Sequence, residues 1–149
     1  DLLYNFCNKF KEKPKLHIAG LNPHAGEEGL LGTEEVDFIN QAIHDWKIKN
    51  PLVDLSKLIS PDSCWISSAK AWRGSNTSPP DGILALYHDQ GLIPVKIITL
   101  NYSVNTTIGL PIIRTSPDHG TGFDISGKGI AQCQSMIEAI KTANDLLIN

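Results

Sequence analysis

The 149-residue chain carries only three cysteines, Cys7, Cys64 and Cys133, and no Cys-x-x-Cys pair. An odd, scattered set excludes a disulfide framework and fits a reducing, cytoplasmic compartment, with each thiol expected as a small buried hydrophobe. No apolar run reaches membrane-spanning length and no secretory signal is visible. A basic stripe is missing as well. The 13 basic and 16 acidic residues are interspersed and sum to a net charge of −3, which argues against a nucleic-acid partner. Neither a Gly-x-Ser-x-Gly elbow nor a Walker loop occurs, so serine-hydrolase and P-loop chemistry have no support. Repeats and low-complexity tracts are lacking too. What is left, at 41% hydrophobic and 19% charged residues, is an ordinary globular composition.

The most informative stretch runs from Ile83 to Gly91. Ile83-Leu84-Ala85-Leu86-Tyr87 reads as a buried strand, and His88-Asp89-Gln90-Gly91 follows at once. In α/β sheets ligands bind beyond the carboxyl ends of strands. A single histidine there is more often a structural strand end. A second one changes the reading: Lys15 to Ala19 is a short strand, and Gly20-Leu21-Asn22-Pro23-His24-Ala25-Gly26 leaves it. Two strands that each deliver a histidine at their exit suit a metal site.

In chain order, Leu2, Leu3, Phe6 and Phe10 look like the closing turns of an amphipathic helix, and the start at Asp1 reads as a piece of something longer. Thr33 can cap a helix carrying Val36, Ile39, Ala42, Ile43 and Trp46, stopped by Pro51. With the strand at 15–19 this makes a βα unit, and the fold class is α/β. Residues 52–80 are hard to read, with a helix start possible at Pro61-Asp62-Ser63 and a long loop after it, pinned by Trp65 and Trp72. Val95 to Leu100 is expected as a strand broken by Asn101, Ile112 to Thr115 as another, and Ile130 onward as a closing helix. Met136, Ile140, Ala143 and Leu147 line one face of that helix.

Three groups of residues carry chemistry. His24 and His88 are the metal candidates, with Asn22, Glu27 and Asp89 near enough in sequence to orient their rings. His17, inside a strand, and His44, on a helix, are poor substitutes, so a third ligand must come from outside this chain or from another copy. Lys96, Asn105 and Arg114 offer two cations and an amide, a set that suits a phosphate or carboxylate. Asp118-His119-Gly120-Thr121-Gly122-Phe123-Asp124, with Gly127 and Gly129, does not match Gly-x-Gly-x-x-Gly. Its glycines, histidine and acid could wrap a nucleotide, but by spacing alone it reads as a plain loop.

Taken together, Gly20-Leu21-Asn22-Pro23-His24-Ala25-Gly26-Glu27 with Gly32-Thr33-Glu34-Glu35, Tyr87-His88-Asp89-Gln90-Gly91, Val104-Asn105 through Gly109-Leu110-Pro111 with Arg114-Thr115-Ser116, and Asp118-His119-Gly120-Thr121 resemble the 4-hydroxythreonine-4-phosphate dehydrogenase family. The motifs occur in the family's order and cover most of the chain outside 52–80. The resemblance implies an NAD- or NADP-dependent oxidative decarboxylation of 4-phosphohydroxy-L-threonine to 3-amino-2-oxopropyl phosphate, in pyridoxal 5′-phosphate biosynthesis. It implies a divalent metal (zinc, or magnesium or cobalt) on His24 and His88, and substrate contacts from Lys96, Asn105 and Arg114. It also implies a nucleotide loop at His119-Gly120-Thr121. Asp62 and Asp89 are the proton carriers or histidine orienters it suggests.

The implied architecture is three-layered and similar to isocitrate and isopropylmalate dehydrogenases, present here as a C-terminal fragment of two lobes. Residues 1–80 would belong to the metal-binding and dimerisation lobe, and 81–149 to the nucleotide- and substrate-binding lobe. A homodimer with shared active sites follows from the same likeness, without nucleic acid or membrane. Ser63 to Pro80 reads as longer than usual in the family, and the third histidine would precede Asp1. The isolated 149 residues are therefore expected to be inactive and to bind metal weakly. A paralogue acting on threonate or erythronate 4-phosphate, and a non-catalytic module, are the alternative readings.

Overall fold

The computed structural model describes residues 1–148. The chain forms an α/β protein of two compact units, one holding Asp1 and Leu3–Pro94, the other Leu2 and the residues from Val95 onward. Among the described residues no helix is long and apolar enough to cross a membrane.

The first unit is built on a three-stranded parallel sheet in the order β2-β1-β3. Its strands are β1 (Lys15–Ala19), β2 (Asp54–Ile59) and β3 (Gly82–Leu84). Central β1 alternates so that Leu16 and Ile18 point into the core with Cys7, Val53 and Leu55. Each such side chain removed from water contributes about 2 kcal/mol. Helix α1 (Leu2–Asn8) adds Leu3, Tyr4 and Phe6 to this core, and helix α2 (Asn40–Lys49) adds Ile43 and Trp46. Gly82 permits the close approach of α1, since a Cβ there would lie 2.9 Å from Cys7 Sγ and 3.0 Å from Leu16 Cδ2. The β1–β2 register shifts between Leu16 and Ile18. At that irregularity the Ile18 N–H donates to the Ser56 hydroxyl (3.3 Å), so this backbone donor keeps a partner, whereas the buried His17 Nδ1 beside it has none.

Asp81 clasps the start of β3 to the α1–β1 link. Its carboxylate accepts from Lys11 Nζ (2.8 Å) and from the Lys15 N–H (2.7 Å). Burial pushes this carboxyl up, but the Lys11 ammonium and Lys15 N–H outweigh burial and hold it below the usual range. A depressed carboxyl stabilises the fold above its unfolded pKa and loses that contribution as acid protonates the folded form. Asp81→Asn is therefore expected to lower the urea midpoint at neutral pH. The gap to the wild-type protein should close below about pH 4. A gap that is constant from neutral to acid pH would remove this role from the Asp81 charge.

Several elements differ from the sequence expectation. The helix after Thr33 opens with a wide π-type turn at Glu35–Ile39 before α2 begins. The hard-to-read stretch holds both β2 and helix α3 (Ile66–Trp72). Within it Trp72 is 62% exposed rather than packed as an anchor. Cys133 is exposed, whereas Cys7 and Cys64 are buried and burial pushes both thiols up.

The expected strand at 95–100 is instead the second half of helix α4 (His88–Thr99). β-Branched residues there favour a strand locally, but the Thr99 hydroxyl bonds back to the Val95 carbonyl (2.8 Å), a helical pattern. Pro94 sits inside α4 and cannot donate to the Gln90 carbonyl, and the boundary between the two units follows it. Asn101, at φ 69°, ends the helix in the left-handed region.

In the second unit β4 (Val104–Thr107) and β5 (Arg114–Pro117) pair antiparallel. Helix α5 (Gln134–Ile148) packs on them, the Thr115 hydroxyl donating to the Ala139 carbonyl (2.9 Å). Small residues Ser135 and Ala139 are its buried positions, the Ser135 hydroxyl donating to the Asn101 carbonyl (3.2 Å). Met136, Ile140 and Leu147 of the expected core stripe are exposed. An amphipathic stripe identifies a face that suits burial, and among the described residues these three side chains stay largely in solvent.

Candidate functional site

The three parallel strands of the first unit all discharge at the same end of the sheet, and each exit carries an ionisable group. β1 leads to His24, β2 to Ser60 and Asp62, and β3 to His88 and Asp89. The Gly20 N–H bonds to the Ile59 carbonyl (2.8 Å) and holds the first two exits side by side.

His24 lies in an unusual segment. His24, Ala25, Gly26, Glu27 and Glu28 all have positive φ (42° to 82°) and together form a turn of left-handed helix. Four of them are not glycine, and each such residue costs about 1–2 kcal/mol in this conformation. Strain of this kind persists where surrounding contacts over-determine it, and it concentrates at functional sites. Here the contacts centre on Glu35, 1% exposed. Its carboxylate accepts from the Asn22 N–H (2.7 Å) and from Asn22 Nδ2 (2.8 Å). Gly26 leans on the same carboxylate, where a Cβ would stand 2.8 Å from Oε2. Burial pushes the Glu35 carboxyl up, but hydrogen bonds from Asn22, its own N–H and Leu21 pull it further down, so the group stays ionised.

The Asn22 amide also donates to Glu34 (2.6 Å), and it is thereby committed to these acids rather than to orienting an imidazole. Glu27 takes that position, its Oε1 2.5 Å from His24 Nδ1. Asp89 Oδ1 lies 2.8 Å from His88 Nδ1. Both rings are exposed. A proton on Nδ1 shared with a carboxylate leaves the Nε2 lone pair outward, the arrangement typical of metal-binding histidine. The Glu27 hydrogen bond and charge hold His24 above the usual imidazole range, with Asp62 adding to the effect. Asp62 is held low by the Ser60 hydroxyl, and the His24 charge is among the further causes. His24 and Asp62 thus sit within electrostatic reach of each other. Among the described residues no group of three His, Cys, Asp or Glu side chains converges. His24 and His88 are imidazoles of ligand chemistry, and a metal site usually takes three protein donors.

In the second unit, β4–β5 pairing sets Thr107 opposite Arg114 and Asn105 opposite Ser116. With a period of two, Asn105 and Arg114 share one face of the hairpin. Arg114 Nη1 donates to the Thr107 hydroxyl (2.8 Å) from an exposed position. Lys96 lies on α4 and pairs with Asp118 Oδ2 (2.9 Å), which also accepts from the Ser103 hydroxyl (2.6 Å). His119 Nδ1 lies 2.8 Å from the Gly120 carbonyl in an exposed loop. An apolar hollow of about 470 Å³ in the first unit, lined by Leu16, Phe38, Ile43 and Trp46 among others, contains none of the candidate residues except His17.

Two positions escaped the sequence reading, Glu35 and Gln90. Glu35 was visible as an acid in a first helical turn, and only the folded loop reveals what it holds. Gln90 lies three residues into α4, the position of a capping-box partner.

A profile of the family described as Pyridoxal phosphate biosynthetic protein PdxA matches residues 1–143. A 4-hydroxythreonine-4-phosphate dehydrogenase of Synechococcus sp. (strain RCC307) is 51% identical over 146 residues, covering 97% of this chain and 44% of the relative. Its counterpart in Synechocystis sp. is 53% identical over 135 residues, covering 90% and 39%. The crystal structure of the Klebsiella pneumoniae 4-hydroxythreonine-4-phosphate dehydrogenase superposes with a TM-score of 0.75 at 36% identity, over 95% of this chain and 40% of that one. The chain spans roughly two fifths of the length of these relatives. Over nearly its whole length, then, it belongs to the PdxA family of pyridoxal phosphate biosynthetic proteins.

Proposed function

We propose that this chain is the metal- and substrate-binding part of an NAD(P)-dependent dehydrogenase that oxidises and decarboxylates 4-phosphohydroxy-L-threonine. The observation that carries this reading is the delivery of His24, Asp62 and His88 at one end of a parallel sheet, in a chain of the PdxA family. When bound, a divalent cation supplies Lewis acidity to a hydroxyl oxygen, and the nicotinamide supplies a hydride acceptor.

The chain's own residues do the rest. His24 and His88 present Nε2 atoms, oriented by Glu27 and Asp89. Asp62, kept ionised by Ser60, accepts the proton of the substrate hydroxyl. In the second unit Arg114 and Asn105 share a face on which a phosphate can take paired N–H donors. Lys96 joins them by exchanging Asp118 for the substrate anion. The loop His119-Gly120-Thr121 holds the nucleotide.

The same reading takes the three-layer architecture of isocitrate dehydrogenase-like enzymes and a cytoplasmic homodimer with shared sites. Zinc, magnesium and cobalt are the ions to compare. The test follows nicotinamide reduction with 4-phosphohydroxy-L-threonine and each ion. It is run on this chain alone and on this chain joined to the portion its Synechococcus relative carries in addition. Turnover is expected only from the joined protein. Turnover from the 149 residues alone, or faster turnover of threonate or erythronate 4-phosphate, would overturn the reading.

A further inference from the structure

We infer that Gln90 is a positioning residue that ties the His24 loop to the His88 loop, an assignment that rests on the proposed pairing of those histidines. Its carboxamide makes four contacts. Oε1 accepts from the Leu86 N–H and the Tyr87 N–H, both at 3.1 Å. Nε2 donates to the Gly20 carbonyl at 2.7 Å and to the Leu21 carbonyl at 3.2 Å. Two acceptor lone pairs and two N–H groups are the whole capacity of a primary amide. Rotating the amide by half a turn would set donor against donor and carbonyl against carbonyl, so its orientation is determined by its surroundings.

The bland account is a helix cap. Gln90 is the third residue of α4, and a glutamine there commonly reaches back to the N–H just before the helix. That account explains Oε1 and leaves Nε2 unexplained. The Nε2 contacts cross to carbonyls seventy and sixty-nine residues away, at the root of the left-handed turn that carries His24. Asn22, the next residue of that loop, is gripped by Glu35. The root of the His24 turn is therefore held both by Glu35 of the helix that follows it and by the strand exit that bears His88. Neither Glu nor Leu at position 90 can reproduce this. A carboxylate would keep the acceptors and face two carbonyl oxygens, and an isobutyl group would lose all four bonds.

The two variants separate a cap from a tie. Gln90→Glu preserves the start of α4, so it remains folded if the cap is what the helix needs, and Gln90→Leu serves as the uncharged control. Imidazole NMR resonances, assigned through His24→Ala and His88→Ala, are expected to move for both rings in both variants of this chain. In the protein joined to the remainder of its relative, Co²⁺ affinity should fall roughly 10- to 100-fold, the usual effect of losing a group that orients ligands. Movement of the His88 ring alone, with His24 and Co²⁺ affinity unchanged, would reduce Gln90 to a cap and overturn the inference. If instead His24→Ala and His88→Ala leave Co²⁺ affinity untouched, the proposed metal pairing falls. The two ring resonances then still decide whether the loops are tied.

Discussion

Glu35→Ala is expected to destabilise the first unit by about 3 kcal/mol, read as a lower urea midpoint at unchanged slope. The carboxylate is buried, ionised and bonded to the Asn22 N–H and amide. Its removal takes the acceptor from the Asn22 N–H, leaves the Asn22 amide with Glu34 alone and opens a void beside Gly26, whose space is now set by Glu35 Oε2. A donor left without its partner costs about 1–3 kcal/mol, and the void adds to that. The left-handed turn would also lose the contact that holds it in an unfavourable region of backbone space. Glu35→Gln should cost less, since one oxygen still accepts while the new NH₂ opposes a donor. The sign of the pH dependence follows from the depressed carboxyl. Glu35 stabilises the fold above the usual glutamate pKa, and the deficit of Glu35→Ala should shrink as acid protonates the wild-type group. A variant within about 0.5 kcal/mol of the wild-type protein, the range of an ordinary surface change, would show that Glu35 is incidental to the loop.

The largest effect on activity is expected at the two strand-exit histidines. On the proposed reading, His24→Ala and His88→Ala in the joined protein should each lower kcat/KM on the order of 10³-fold, about 4 kcal/mol of transition-state stabilisation. Loss of a ligand removes both the Lewis acid and the geometry that presents the hydroxyl. His44→Ala is the control, because His44 lies on α2, apart from the strand exits. If all three variants retain activity, or all three lose it equally, the strand exits are not the reaction centre. Metal content measured on the same samples distinguishes a lost ligand from a lost fold.

The sequence by itself determined the polar strand exits. Lys15–Ala19 was legible as a strand because apolar residues alternate there, and Asn22-Pro23-His24 and His88-Asp89 because ionisable groups stand directly after apolar runs. The α/β class and the family likeness were likewise legible in local patterns of spacing. Tertiary structure decided everything that depends on partners distant in the chain. Val95 to Leu100 has strand-like composition, yet it continues a helix begun at His88, since local propensity is worth less than the packing of a whole element. The left-handed turn at His24 could not be read from its residues, four of which disfavour it. Its stability comes from a carboxylate on the next helix and from the far-off amide of Gln90. A one-dimensional pattern records which face of an element is apolar, but which groups meet across seventy residues is fixed by how the strands pair.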